Sequence, residues 1–272
     1  MKKNFILLVI LLIIQFMAAI IFASCSVEDD LQANPSETKA TTEEQADIET
    51  QAAVKREPIK GQNEFNILFV GNSFTATGWV PGQVAKLSQM YGVTVKFDVV
   101  TNGGATLDDN MEEALEKLRE NAYDYAVFQD YGGRQFETEV FFADLELLCN
   151  TAEEFDIIPV LYNPAWANID GKPDESFQEE LTRPYKDAAF LYNAILVNAA
   201  DAWVYAYAQH PDIELYKEDD FHANNCGAYF TACVFVSTLF DIQVKDINED
   251  NIYDGEDAIR LGEAAWDFVN ES

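Results

Sequence analysis

From Asn66 onward, short apolar runs alternate with longer stretches of helical periodicity, and this alternation constrains the fold more than any other feature of the chain. NILFVG (66–71) is a continuous apolar run closed by glycine, the pattern of a strand buried on both faces. Residues 80–91 predict a helix closed by Gly92, and VTVKFDVV (93–100) a second strand. LDDNMEEALEKLREN (107–121) predicts a helix whose acidic start and basic end complement its dipole. DYAVFQD (124–130) gives a third strand, 137–155 a helical stretch, and DIIPVLYNP (156–164) a fourth strand. A long helical region over 175–193, a fifth strand in AILVNAA (194–200) and a strongly apolar helix over 223–240 complete the series. Five βα repeats predict an α/β fold of three layers, α/β/α, around a mostly five-stranded parallel sheet. Ligands of such sheets lie beyond the carboxyl ends of the strands, so chemistry is sought there.

The first 25 residues are a targeting segment. Lys2 and Lys3 precede an almost wholly apolar run from Phe5 to Ala23, interrupted only by Gln15, and the run meets Phe22-Ala23-Ser24-Cys25. Small residues just before a cysteine are what a lipoprotein signal peptidase reads, making Cys25 the expected site of lipidation. An uncleaved anchor is the rival, because the run approaches the roughly 20 residues that span a bilayer; ordinary secretion is the third reading. All three put the rest of the chain outside the cytoplasm, lipid-anchored on a bacterial cell membrane in the preferred reading. Residues 26–62, rich in Glu, Asp, Thr, Ala and Gln, cannot bury enough surface to offset their ordering entropy and are expected to be a disordered acidic linker. The domain is expected over 63–272.

Charge and cysteines narrow the function. The formal net charge is −31, which repels nucleic acid and anionic lipid headgroups and excludes readings built on them. With Cys25 assigned to lipid, Cys149, Cys226 and Cys233 remain, an odd number that is no disulfide framework. Cys226 and Cys233, seven apart on one helix, lie about 10 Å from each other, too far to bridge. No CxxC and no His/Cys cluster suggests zinc, and no cofactor is expected.

Three segments bring reactive types to the expected ligand edge. Gly71-Asn72-Ser73-Phe74 follows the first strand, where a serine projects from the sheet and Gly71 allows a tight turn. Asn102-Gly103-Gly104-Ala105-Thr106 follows the second strand, and paired glycines free backbone N–H groups to approach an oxyanion. Glu218-Asp219-Asp220-Phe221-His222 precedes the last helix and offers an imidazole with a carboxylate three residues back. Taken singly these are an N-cap, a turn and a surface histidine. Their coincidence at the ends of successive elements points to one crevice. The other histidine, His210, lies in Gln-His-Pro-Asp and reads as an exposed loop.

ILFVGNSFT resembles the first block of the SGNH (GDSL-like) serine hydrolases, TNGGATL their second, and DDFHANNCGAYFTAC their last, an Asp-x-x-His followed by a Gly-aromatic helix. The resemblance covers residues 64–245 and implies a flavodoxin-like SGNH hydrolase fold. It implies Ser73 as nucleophile, His222 as base and Asp219 as its orienter, with the N–H groups of Ser73 and Gly104 as oxyanion donors. The third block departs from the pattern. Where an Asn completes the oxyanion hole, this chain has Phe128-Gln129-Asp130-Tyr131, and Gln129 is the expected substitute.

The implied activity is hydrolysis of small acyl esters, acetyl esters first, with acetylated carbohydrate as the substrate an outward-facing tethered enzyme meets. Trp79, Tyr131, Trp166 and Trp203 are candidate sugar-lining residues, with core packing as their ordinary alternative. The rival is a non-catalytic carbohydrate-binding lipoprotein on the same fold. A transporter's solute-binding lipoprotein would need two similar lobes, and roughly 210 residues with one βα series do not supply them.

Overall fold

A computed structural model describes residues 56–130, 138–166, 168–169, 172–173, 175–245 and 255–271. The targeting segment with Cys25, the linker as far as residue 55, and Tyr131 lie outside the described residues.

Five strands, β1 (Glu64–Gly71), β2 (Thr94–Thr101), β3 (Tyr125–Phe128), β4 (Ile158–Asn163) and β7 (Ile195–Asn198), form one parallel sheet in the order β2-β1-β3-β4-β7. A two-residue antiparallel pair, β5 (Asn168–Ile169) with β6 (Lys172–Pro173), stands apart in the β4–β7 connection. The helices are α1 (Ser73–Ala76), α2 (Val80–Met90), α3 (Leu107–Glu120), α4 (Thr138–Glu154), α5 (Glu175–Leu191), α6 (Ala199–Gln209), α7 (Asn225–Phe240) and α8 (Glu256–Glu271).

Side-chain alternation along the strands divides the core in two. Phe65, Ile67, Phe69, Tyr125, Val127, Val160 and Val197 face α2, α6, α7 and α8, whereas Leu68, Val70, Ala126, Phe128 and Leu161 face α3, α4 and α5. Burial on both faces is why β1, β3 and β4 read as continuous apolar runs rather than alternating ones. Helix α7 is buried without interruption from Gly227 to Ser237. It is the apolar helix of the sequence, flanked by α2 and α8 as well as the sheet, so it needs no polar face.

Two helices extend the expected series. Ala199 and Ala200, the end of the expected fifth strand, instead open α6, because the Asn198 side chain accepts from the Asp201 N–H and caps a helix there. Helix α8 packs against α7 and α6. At the start of the domain, the last seven residues of the expected linker, 56–62, lie along the amino-terminal edge of the sheet. The Ile59 N–H donates to the Tyr125 hydroxyl at 2.8 Å, Arg56 reaches Glu153 and the Asn193 carbonyl, and Gln62 reaches Asp124. A cavity of about 420 Å³ lies under this strap against Phe65, Val93, Ile195 and Phe240, at the opposite end of the strands from Ser73.

Gly227 sets how closely α7 approaches the loop before it. A Cβ there would stand 2.3 Å from the Leu215 carbonyl oxygen and 2.5 Å from the Trp203 ring. Helix propensity favours alanine by about 1 kcal/mol. Overpacking against backbone and a buried indole costs about 1–3 kcal/mol or more and prevails. Gly227→Ala is therefore expected to lower the urea midpoint, and an unchanged or raised midpoint would show that the helix can shift freely.

Candidate active site

The loop that carries Ser73 is built from buried polar groups. Strand β1 ends at Gly71, where the chain leaves the ladder and the Asn72 N–H needs a new acceptor. It finds the side-chain oxygen of Gln129 at 3.1 Å, and the Thr75 hydroxyl donates to the same oxygen at 2.9 Å. Gly71 makes this approach possible: a Cβ would stand 2.5 Å from Thr75 Oγ1 and 2.6 Å from Gln129 Oε1. The Asn72 side chain accepts from the Phe74 N–H and caps α1, and it donates to the Ala105 carbonyl at 2.9 Å. Asn110 donates to the Gly71 carbonyl and accepts from Asn102. Ser73, a partly exposed residue, opens α1 on this base.

The second part is the loop between α6 and α7. Its two arms pair, with the Lys217 N–H donating to the His222 carbonyl at 2.8 Å and Tyr216 bridging Ala223. Asp220 turns the tip in the left-handed region, with φ of 57°. Asp219 Oδ1 accepts the N–H groups of Phe221 and His222, at 3.0 and 2.9 Å, while Oδ2 lies 2.8 Å from His222 Nδ1. Burial works to raise the Asp219 pKa, but the His222 and Phe221 N–H groups and the imidazole outweigh it and hold the carboxyl below its ordinary value. A carboxylate only accepts, so Nδ1 carries the imidazole proton and Nε2 is left as an acceptor. Nε2 lies 3.0 Å from Ser73 Oγ. Asp219, His222 and Ser73 thus form one hydrogen-bonded chain, and of the two neighbouring aspartates it is Asp219 that touches the imidazole.

The Gly103-Gly104 segment is a turn closed by the Ala105 N–H on the Asn102 carbonyl, with Gly104 at φ 72° in the position that requires positive φ. The Asn72–Ala105 bond ties this turn to the Ser73 loop, and the capping box of Thr106 and Asp109 follows at once. Among the described residues, no hydrogen bond consumes the N–H of Ser73 or Gly104.

Gln129 departs from expectation. Its side chain is wholly buried; the oxygen serves Asn72 and Thr75, and the amide donates to the Asp130 carbonyl. With no exposed surface it does not reach a bound ester, so it holds the loop from beneath rather than completing an oxyanion hole. His210 caps the end of α6 beside Arg260, away from Ser73. Trp203 is core, bonded to Thr231, and Trp79 is exposed, with its ring over Gly82 and edge-on to Phe97. Trp166 is partly exposed and packs on Phe74 and Phe221. Cys149 and Cys233 are buried and in no disulfide, and burial pushes both thiols up; Cys226 is partly buried and also outside any disulfide. No group of three His, Cys, Asp or Glu side chains among the described residues is placed to hold a metal ion.

Thr75 and Asn110 are site-building residues that sequence reasoning missed. The signal for Asn110 was a polar residue on the otherwise apolar face of its helix, with Leu107, Ala114 and Leu118. Gln129→Leu would leave the buried Asn72 N–H and Thr75 hydroxyl without an acceptor, at about 1–3 kcal/mol each. A fall of that size in the unfolding free energy read from urea denaturation is expected, and a value equal to the parent's would remove Gln129 from this role.

No protein-family model and no curated protein sequence matches the chain. Solved structures do. A proposed SGNH hydrolase from Slackia heliotrinireducens superposes with a TM-score of 0.54 at 23% identity, over 65% of this chain and 99% of that one. A DUF4886 family protein from Bacteroides uniformis gives 0.59 at 16% identity, over 76% and 95%. A single-residue variant of the acetyl xylan esterase Axe2 from Geobacillus stearothermophilus gives 0.54 at 17% identity, over 67% and 97%. Sheet order, layers and these superpositions agree: the chain has the three-layer α/β/α fold of the SGNH hydrolases.

Proposed function

We propose that this chain is a serine esterase that hydrolyses small acyl esters, acetyl esters on carbohydrate foremost. The observation that carries the proposal is the unbroken chain from Asp219 Oδ2 through the His222 ring to Ser73 Oγ, at 2.8 and 3.0 Å. It lies at the carboxyl edge of the sheet, where such folds bind ligands. The likeness to an acetyl xylan esterase supports the acyl class.

In the reaction, Ser73 Oγ attacks the ester carbonyl carbon while its proton passes to His222 Nε2. Asp219 stabilises the imidazolium so formed. The carbonyl oxygen takes the negative charge and is held by the N–H groups of Ser73 and Gly104. Collapse breaks the bond to the alcohol oxygen, which takes the proton from Nε2 and leaves, with the acyl group on Ser73. Water then attacks the acyl-enzyme by the same route, giving its proton to His222, and the acid departs as Ser73 Oγ recovers a proton. We extend the proposal to location: Cys25 carries lipid and the domain works outside the cytoplasm. Among the described residues no helix is long and apolar enough to cross a membrane.

One observation favours the rival reading, a carbohydrate-binding lipoprotein without catalysis. Gln129 turns inward, so a third oxyanion donor must come from elsewhere, and one donor is typically worth about 10²–10³ in kcat. Hydrolysis of p-nitrophenyl acetate by residues 56–272 decides between them. Turnover is expected in the parent and is expected to vanish in Ser73→Ala and His222→Ala, with Asp219→Asn reduced roughly 10³–10⁴-fold. Turnover that survives Ser73→Ala, or a folded parent that hydrolyses no ester, would overturn the esterase reading.

The depressed pKa of Asp219 fixes the sign of a pH effect. A lowered carboxyl pKa contributes stability that is complete above the unfolded value of about 3.9 and is lost as the pH falls through the folded one. The gap in urea midpoint between the parent and Asp219→Asn is therefore expected to be full at pH 6 and to narrow below about pH 4. A gap that widens with acid would reverse the assignment.

A further inference from the structure

Three aromatic rings stand around the reacting pair. Phe74 directly follows Ser73 and Phe221 directly precedes His222, with their ring centroids 5.1 Å apart. Trp166 packs on both, at 5.1 Å from Phe74 and edge-on at 4.5 Å from Phe221. Phe74 and Phe221 also flank the imidazole, at 5.7 and 4.9 Å. Phe74 is buried beneath, whereas Trp166 and Phe221 are partly exposed. Trp166 stands on a firm root. Asn163, the last residue of β4, is fully buried and donates to Thr182 and Asn198, and Ala165, the residue before the indole, is buried as well.

The chemistry assigns a side to this cluster. The departing alcohol oxygen must take its proton from His222 Nε2, so the alcohol lies on the histidine side of Ser73. The carbonyl oxygen lies on the other side, toward the glycine turn that Asn72 binds through Ala105. Rings packed around the imidazole therefore border the alcohol half of the ester and not the acyl half. An indole on a rigid root offers a flat apolar face at little entropic cost, which suits the C–H face of a pyranose. The net charge of −31 disfavours an anionic sugar. We propose that Trp166 is the stacking platform for a neutral O-acetylated pyranose, with Phe221 extending it, and that it sets the preference for the alcohol. This rests on the esterase reading above and deepens it.

The test compares two acetate donors with different alcohols, methyl tri-O-acetyl-β-D-xylopyranoside and ethyl acetate, and reads the change in their ratio against the parent's. In Trp166→Ala the ratio of kcat/KM for the pyranoside over ethyl acetate falls roughly tenfold or more, chiefly through the pyranoside KM. In Trp166→Phe the ratio stays within about threefold of the parent's. An unchanged ratio in Trp166→Ala overturns the proposal, because Trp166 would then act only by propping His222. Calorimetric binding of the same pyranoside to Ser73→Ala, with and without Trp166→Ala, separates this proposal from the esterase reading. Binding that disappears with Trp166 supports the platform even if the parent hydrolyses neither ester; binding that persists without Trp166, or none in Ser73→Ala, overturns it.

Discussion

The buried carboxamide of Gln129 is the tie on which the geometry of the site depends. It stands just past β3, whose Phe128 pairs with Val70 of β1, so its side chain meets β1 where that strand stops being a strand. The backbone must turn there to present Ser73, and turning strips the Asn72 N–H of its ladder partner. A side-chain oxygen replaces the strand, and only a residue without a Cβ at position 71 lets it come close enough. From this knot the bonds run outward: Asn110 to the Gly71 carbonyl, Asn72 to Ala105, Asp130 to the Leu107 N–H. Each spends a buried polar group, and each would be costly to leave unpaired, so together they hold one loop arrangement against others.

His222 is held by different means. The loop that carries Asp219 and His222 is half exposed and bends through a left-handed aspartate, a conformation Asp tolerates better than most residues. Its stiffness comes from its feet. Leu215 and Tyr216 are buried, Asn224 caps α7, and α7 is locked in the core for nearly its whole length. The tip is then steadied by Asp219, which binds two backbone N–H groups as well as the imidazole. One carboxylate thus shapes the loop and orients the imidazole, so that the Asp-x-x-His spacing is first of all a folding device.

Much of this was legible in the residues. The strands read clearly because burial on both faces leaves continuous apolar runs, and α3 read clearly because acidic residues mark its start and basic ones its end. Helix α6 was hidden because Asn198 is at once the last strand residue and the cap, a boundary that composition does not mark. Ser73, Asp219 and His222, which the structure brings into one hydrogen-bonded chain, stood out in the sequence because reactive types at the ends of elements are few. Gln129 was placed correctly at its strand end but given the wrong face. Whether an amide beyond a strand turns toward the crevice or into the core depends on which neighbour lacks a Cβ, and that is a property of Gly71 across the sheet, not of the local sequence. The strap was likewise read as linker, since its hold on the domain comes through Tyr125, Asp124 and the Asn193 carbonyl, all distant in the chain.

That strap gives the domain two ends with separate tasks. Parallel strands put every carboxyl end on one edge, and the reactive groups gather there because the turning backbone frees its N–H and side-chain groups. The amino ends are left with open carbonyls, N–H groups and apolar side chains such as Phe65 and Ile195, which a covering segment can satisfy. Residues 56–62 cover part of this edge, with hydrogen bonds to the Tyr125 hydroxyl, the Asp124 carboxylate and the Glu64 and Asn193 carbonyls. Among the described residues, Trp166 and Phe221 stand beside the Ser73–His222 pair, and the glycine turn is tied to the Ser73 loop through Ala105.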